Sequence, residues 1–241
     1  LDSGGLGYFP LALPFLAFLA GLFVVLVAFV EVRALRFAYM RVGLSSRGAL
    51  LLLLASLAGS YLNIPVAQLP GHAVVAYQDA PFLGLLHYRV PYLVQWPGTV
   101  IAVNVGGAVI PGLLSLYLIV RTGQFLRALV AIACVTLVVH RLAYPVPGLG
   151  IAVPVFVPPI AAAIVAVVLS REYAPALAYV GGALGTLIGA DLLNLRAIER
   201  MGAPVASIGG AGTFDGIFVT GVLAVLLASL VSPRAGRPAP A

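Results

Sequence analysis

Long, uninterrupted apolar runs set the pattern of this chain, each ended by arginine or by a stretch rich in proline and glycine. The runs are about 20 residues long, whereas the strands of an outer-membrane barrel alternate over about 10, so the pattern predicts membrane-crossing helices. The expected spans are Leu11 to Val32, Ala49 to Leu69, Thr99 to Val120, Ala128 to Leu142, a fifth resuming at Ala161, Pro175 to Leu195, and a seventh starting near Gly212. The expected fold class is therefore an all-α polytopic membrane protein of about seven transmembrane helices. Residues 1–232 would form a single transmembrane domain and 233–241 a disordered cytoplasmic tail.

Two interruptions carry their own expectations. The segment from Gly71 to Pro97 mixes aromatic, histidine and charged residues, a composition suited to the headgroup region, with a short hairpin or helix of its own. Tyr144 to Ile160 holds five prolines and two glycines yet is apolar, so it predicts broken or extended backbone before the fifth helix. Within the second and third runs, Pro65 beside Asn63, and Gly106, Gly107 and Pro111 beside Asn104, predict kinked and closely packed helices.

Composition agrees with the pattern. At 62% apolar and 8% charged residues, with a mean hydropathy of +1.14, too little polar surface exists to coat a globule in water. The net charge is +6 and every basic residue is arginine; these arginines flank the apolar runs, so the bilayer is the expected partner and nucleic acid is not. Counted over alternate connections, arginines favour an N-terminus outside and a C-terminus in the cytoplasm, a multi-pass topology in the cell membrane. Lone Cys134 forms no intrachain disulfide. The histidines lack ligand spacing, so neither a metal nor a cofactor is expected.

The candidate chemistry lies in the last two runs. Asp191 and Asp215 each stand inside membrane-grade sequence, where a carboxylate is costly and marks a functional site by default. Gly181, Gly185 and Gly189 recur every four residues, which predicts one ridge seating a neighbouring helix, with Asp191 turned away from it and Asn194 on the Asp191 face. Two carboxylates meeting in a dry site share a proton, and such a pair can activate water against a peptide carbonyl.

GADLLNL (189–195) and ASIGGAGTFDGIF (206–218), with the upstream strings NIP and PGLGIAVP, resemble a prokaryotic seven-span membrane family of uncharacterised function. More loosely, the aspartate pair is similar to the G-x-G-D intramembrane aspartyl proteases: presenilin, signal peptide peptidase and prepilin peptidase. Here the second motif reads G-x-G-x-x-D, from Gly210 to Asp215. That resemblance implies Asp191 and Asp215 as catalytic residues and a membrane-protein substrate. Two other readings stay open. An ion-coupled transporter would use Asn63, Asn104, Asn194 and Thr213 with the aspartates as an oxygen cage. A structural or anchoring subunit would use the glycine ridges to pack against partner subunits.

Overall fold

The computed structural model describes residues 21, 32–71, 73–82, 86–95, 98–146, 150–195, 197, 205–210 and 216–232. Most of the first apolar run, Asp215, Thr213 and the tail from Pro233 lie outside the described residues.

Helix α1 (Val32–Arg41) meets α2 (Ser46–Gly59) at a bend of 119°. Ser45 caps α2, its hydroxyl accepting the Gly48 amide at 3.1 Å, as the orphan donors of a first turn require. The helix stops at Gly59, and the second apolar run continues as strand β1 (Asn63–Leu69). Strands β2 (Ala73–Phe82), β3 (Leu86–Gln95) and β4 (Thr99–Asn104) follow. After β4 the backbone winds into a π-helical turn, Val105–Val109, and then α3 (Ile110–Thr122), closed by Gly123 at φ 66°. Next come α4 (Phe125–Leu142), the short strands β5 (Tyr144–Val146) and β6 (Gly150–Ala152), α5 (Val157–Leu169) and α6 (Ala174–Thr186). The end of α6 loosens into a π turn, Leu187–Asp191, and a 3₁₀ turn, Leu192–Asn194. Strand β7 (Val205–Ile208) and α7 (Gly216–Val231) complete the described chain.

The protein is mostly helical, but the all-α expectation is corrected. Parts of two expected spans, 63–69 and 99–104, are strands of a three-stranded sheet ordered β1-β4-β7. Their residues explain it: Ile64 and Val66 in one run and Val100, Ile101 and Val103 in the other are β-branched and suit a pleated surface. Pro65, expected to kink a helix, instead sits in edge strand β1, where the register shifts between Pro65 and Ala67. An edge or a bulge is where a sheet tolerates a missing donor. β1 runs antiparallel to β4, and β7 runs parallel to it. The expected hairpin between Gly71 and Pro97 is present as β2 and β3, antiparallel from Ala73 opposite Gln95 to Phe82 opposite Leu86. Within the proline-rich stretch, Tyr144–Val146 and Gly150–Ala152 are extended, as its composition predicts, with Tyr144 paired to Ala152, while Val157 to Ile160 already belong to α5.

Helix α6 is the axis of the bundle. Every residue from Ala174 to Ala183 is buried, and α3, α4, α5 and α7 surround it. Alanine, glycine and proline make this stretch narrow, so four neighbours can close on it. The outer faces are apolar and open: Leu126 is 75% exposed, Val168 80% and Leu230 81%. Exposed leucine and valine on this scale suit hydrocarbon rather than water. Among the described residues, three helical stretches are long and apolar enough to cross a membrane, Val105–Thr122, Phe125–Leu142 and Ala174–Asn194, or four if α1 and α2 form one bent span.

The two ends of the bundle differ. Arg121 donates to the Gly43 carbonyl at 2.6 Å and Arg41 to the Ser229 carbonyl at 3.4 Å, so the α1–α2 turn, the end of α3 and the end of α7 share one arginine-rich end. Because β4 and β7 are parallel and lead into α3 and α7, the sheet lies at the other end. The stretch Val105–Thr122 has 18 residues, or about 27 Å of helix, close to a hydrocarbon thickness. The strands thus stand beyond the end of this apolar stretch, and at the end of a membrane-crossing helix unpaired backbone groups can reach water or headgroups.

Candidate functional site

Four chain crossings meet at the sheet end. The first is the exit of α2 into β1. The second and third are β4 into the π turn before α3, and β7 into the turn at Gly209. The fourth is the loosened end of α6. Each is built from residues that let main chains touch. A Cβ on Gly59 would lie 3.0 Å from the Gly106 nitrogen, and one on Gly106 would collide with the Ser56 carbonyl oxygen and the Ser60 nitrogen. Gly209, at φ 75°, sits so close to the second crossing that a Cβ would meet the Ala108 nitrogen and Cβ, both at 2.7 Å. Only glycine fits such a position in the left-handed region.

Polar side chains hold these crossings together. Asn104, 2% exposed, accepts the Gly107 amide on Oδ1 at 2.8 Å and donates through Nδ2 to the Ser60 carbonyl at 2.7 Å and to Asn63 Oδ1 at 3.1 Å. Ser207 donates to the same Asn63 oxygen at 2.5 Å. Asn63 therefore joins β1, β4 and β7 through one atom. The Gly107 contact fixes which end of the Asn104 amide is oxygen, because only an acceptor can face an N–H.

Asp191 closes the π turn of α6 and is half-buried. Its Oδ2 accepts the Gly209 amide at 2.7 Å, tying α6 to the segment that leads towards α7. Asn194 turns elsewhere. Its Nδ2 donates to the Gly189 and Ala190 carbonyls, both at 2.9 Å, and lies 3.4 Å from His140 Nδ1. The expectation that Asn194 shares the Asp191 face is corrected: the π and 3₁₀ turns break the regular 100° step on which it relied. The glycine ridge is as expected. A Cβ on Gly181, Gly185 or Gly189 would meet Ala131, Val135 or the Thr136 carbonyl, all on α4.

Of the six residues singled out in the sequence, Asn63, Asn104 and Asp191 lie at the crossings and Asn194 caps its own helix end. Asp215 and Thr213 lie outside the described residues. Ser60, Ser207 and Gly209 were missed. A signal for Ser207 was available: Asn104-Val-Gly-Gly-Ala and Ser207-Ile-Gly-Gly-Ala repeat one motif, and both copies begin within the parallel strands and send their polar residue to Asn63. Among the described residues no group of three or more histidine, cysteine, aspartate or glutamate side chains could hold a metal ion.

These features define a mostly helical protein that has, among the described residues, helices long and apolar enough to cross a membrane, capped by a small mixed sheet whose strand β4 runs directly into one of them. The sequence matches the family "Protein of unknown function (DUF1614)" over residues 57–227, and the chain belongs to that family. No curated protein and no solved structure matches it.

Proposed function

We propose that this protein is an intramembrane aspartyl protease in which Asp191 and Asp215 form the catalytic pair. The reading is carried by the bond from the Gly209 amide to Asp191 Oδ2. It fixes one carboxylate at the root of the short segment that carries the other, six residues further on and directly before α7. In the proposed reaction one ionised aspartate takes a proton from water while its protonated neighbour donates to the peptide carbonyl oxygen. The water oxygen bonds to the carbonyl carbon, and collapse of the tetrahedral species breaks the C–N bond as the amine leaves with a proton. Neither metal nor cofactor enters these steps. Strand β7, which ends immediately before Gly209, pairs only with β4 among the described residues, and a free strand edge suits an extended substrate.

The substrate of this reading is a membrane protein cleaved near the outer face of the cell membrane. We infer seven spans, with the N-terminus outside and the C-terminus cytoplasmic. The common end shared by Arg41 and Arg121 supports that orientation, because arginine collects on the cytoplasmic side.

The test is cleavage of a membrane-spanning reporter by the full-length protein in liposomes. D191A and D215A should each abolish it while leaving the thermal transition in place. A folded variant that lacks either carboxylate and cuts normally sinks the proposal. A second reading, a structural or anchoring subunit, is favoured by one observation: the Asn104 amide nitrogen stands among Ser60 O and Asn63 Oδ1. That donor already occupies the Asn63 oxygen, and the Gly107 amide occupies the Asn104 oxygen, two of the oxygens that an ion-coupled transporter would offer a cation.

A further inference from the structure

We propose that Asn63 is a positioning residue, whose single side-chain oxygen holds the two Gly-Gly-Ala crossings in place and so keeps the Gly209 amide under Asp191. Its link to catalysis rests on the protease reading above, whereas the clamp itself does not. Asn63 Oδ1 receives Ser207 Oγ at 2.5 Å and Asn104 Nδ2 at 3.1 Å. Ser207 is two residues before Gly209, and Asn104 holds the Gly107 amide through its own oxygen. The two turns touch, since Gly209 abuts Gly107 and Ala108. Asn63 therefore acts on both at once. It stands at the surface, on the opposite side of Ser207 in the chain of contacts from Asp191, and reaches that carboxylate only through Ser207 and Gly209.

Because the oxygen is used only as an acceptor in these bonds, aspartate can replace asparagine while alanine cannot. Three amides report the clamp: Gly107 bonded to Asn104 Oδ1, Gly209 to Asp191 Oδ2, and Gly210 to the Ser207 carbonyl at 3.2 Å. Loss of one such bond corresponds to roughly three- to tenfold in an opening equilibrium.

The experiment is amide hydrogen exchange on the full-length protein in nanodiscs, following peptides that cover residues 105–110 and 205–216. Asn63→Ala should speed exchange roughly three- to tenfold in both peptides. Asn63→Asp should exchange as the unaltered protein does, and Ser207→Ala should loosen 205–216 alone. The proposal is overturned if Asn63→Ala changes one peptide or neither, or if Asn63→Asp behaves like alanine. Should Asn63→Ala fail to fold, the aspartate and Ser207 variants still decide: Asn63→Asp exchanging faster in both peptides, or Ser207→Ala loosening neither, overturns it. Reporter cleavage gives the catalytic half, falling with Asn63→Ala and returning with Asn63→Asp. If the unaltered protein cleaves nothing, the protease reading fails while the exchange data stand.

Discussion

The glycines of α6 and those at the chain crossings use the same absence of a side chain to different ends. Along α6 the partners are partly side chains: a Cβ on Gly181 would meet Ala131 Cβ at 3.2 Å, and one on Gly185 would meet Val135 Cβ at 2.7 Å. At the crossings the partners are main-chain atoms, with Gly106 against Ser56 and Ser60 and Gly209 against the Ala108 nitrogen. Packed helices can separate by a few tenths of an ångström. Crossed backbones that share hydrogen bonds cannot move apart without breaking them. Glycines spaced by four thus adjust how tightly two rods pack, while adjacent glycines decide whether the crossing exists.

Substitutions can sharpen or break that contrast. Gly106→Ala should have the largest effect, at or above the upper end of the ~1 to 3 kcal/mol usual for overpacking, read as a collapse in the yield of monodisperse protein in detergent. Asn104→Ala comes next, because it strands the Gly107 amide and the Ser60 carbonyl. About 1 to 3 kcal/mol is expected for each buried group left unpaired, seen as a lower midpoint in thermal denaturation. For Gly185→Ala, retained folding with a loss of about 1 to 2 kcal/mol is expected, and α4 should shift outward in a cross-linking measurement between α4 and α6. Gly181→Ala should cost under about 1 kcal/mol. If its melting curve drops as far as that of Gly106→Ala, the distinction between ridge and crossing is wrong.

Much of the helical framework was legible because it is written in period and length. The ridge at Gly181, Gly185 and Gly189, the broken stretch before α5 and the arginine-rich end all follow from spacing and composition. The sheet was not legible, because a run of apolar residues looks alike whether it continues a helix or leaves it. Ala49 to Leu69 is one such run, and the helix gives way at Gly59, where Gly106 comes against it. Only the clustering of β-branched residues around Pro65 and at Val100 to Val103 hinted at strands. Asp191 stood out as an acid in apolar sequence, but its partner Gly209 is a main-chain amide, and no side-chain pattern announces one. Ser207 was hidden by its ordinariness. Its role depends on pairing with residues more than 100 positions away.

The hairpin adds a mechanical consequence. Leu69 faces Thr99 and Ala73 faces Gln95, so three residues intervene on each side and the two ladders keep one count. A slip of one residue anywhere beyond Ala73 would have to be absorbed at that short neck or at the register shift between Pro65 and Ala67, or be carried down to the Asn63–Asn104 pair. The outward arm therefore works as a ruler, its register from the Phe82–Leu86 pair inwards helping to set which atoms meet at the Asn63–Asn104 pair, nineteen positions earlier along the chain from Phe82.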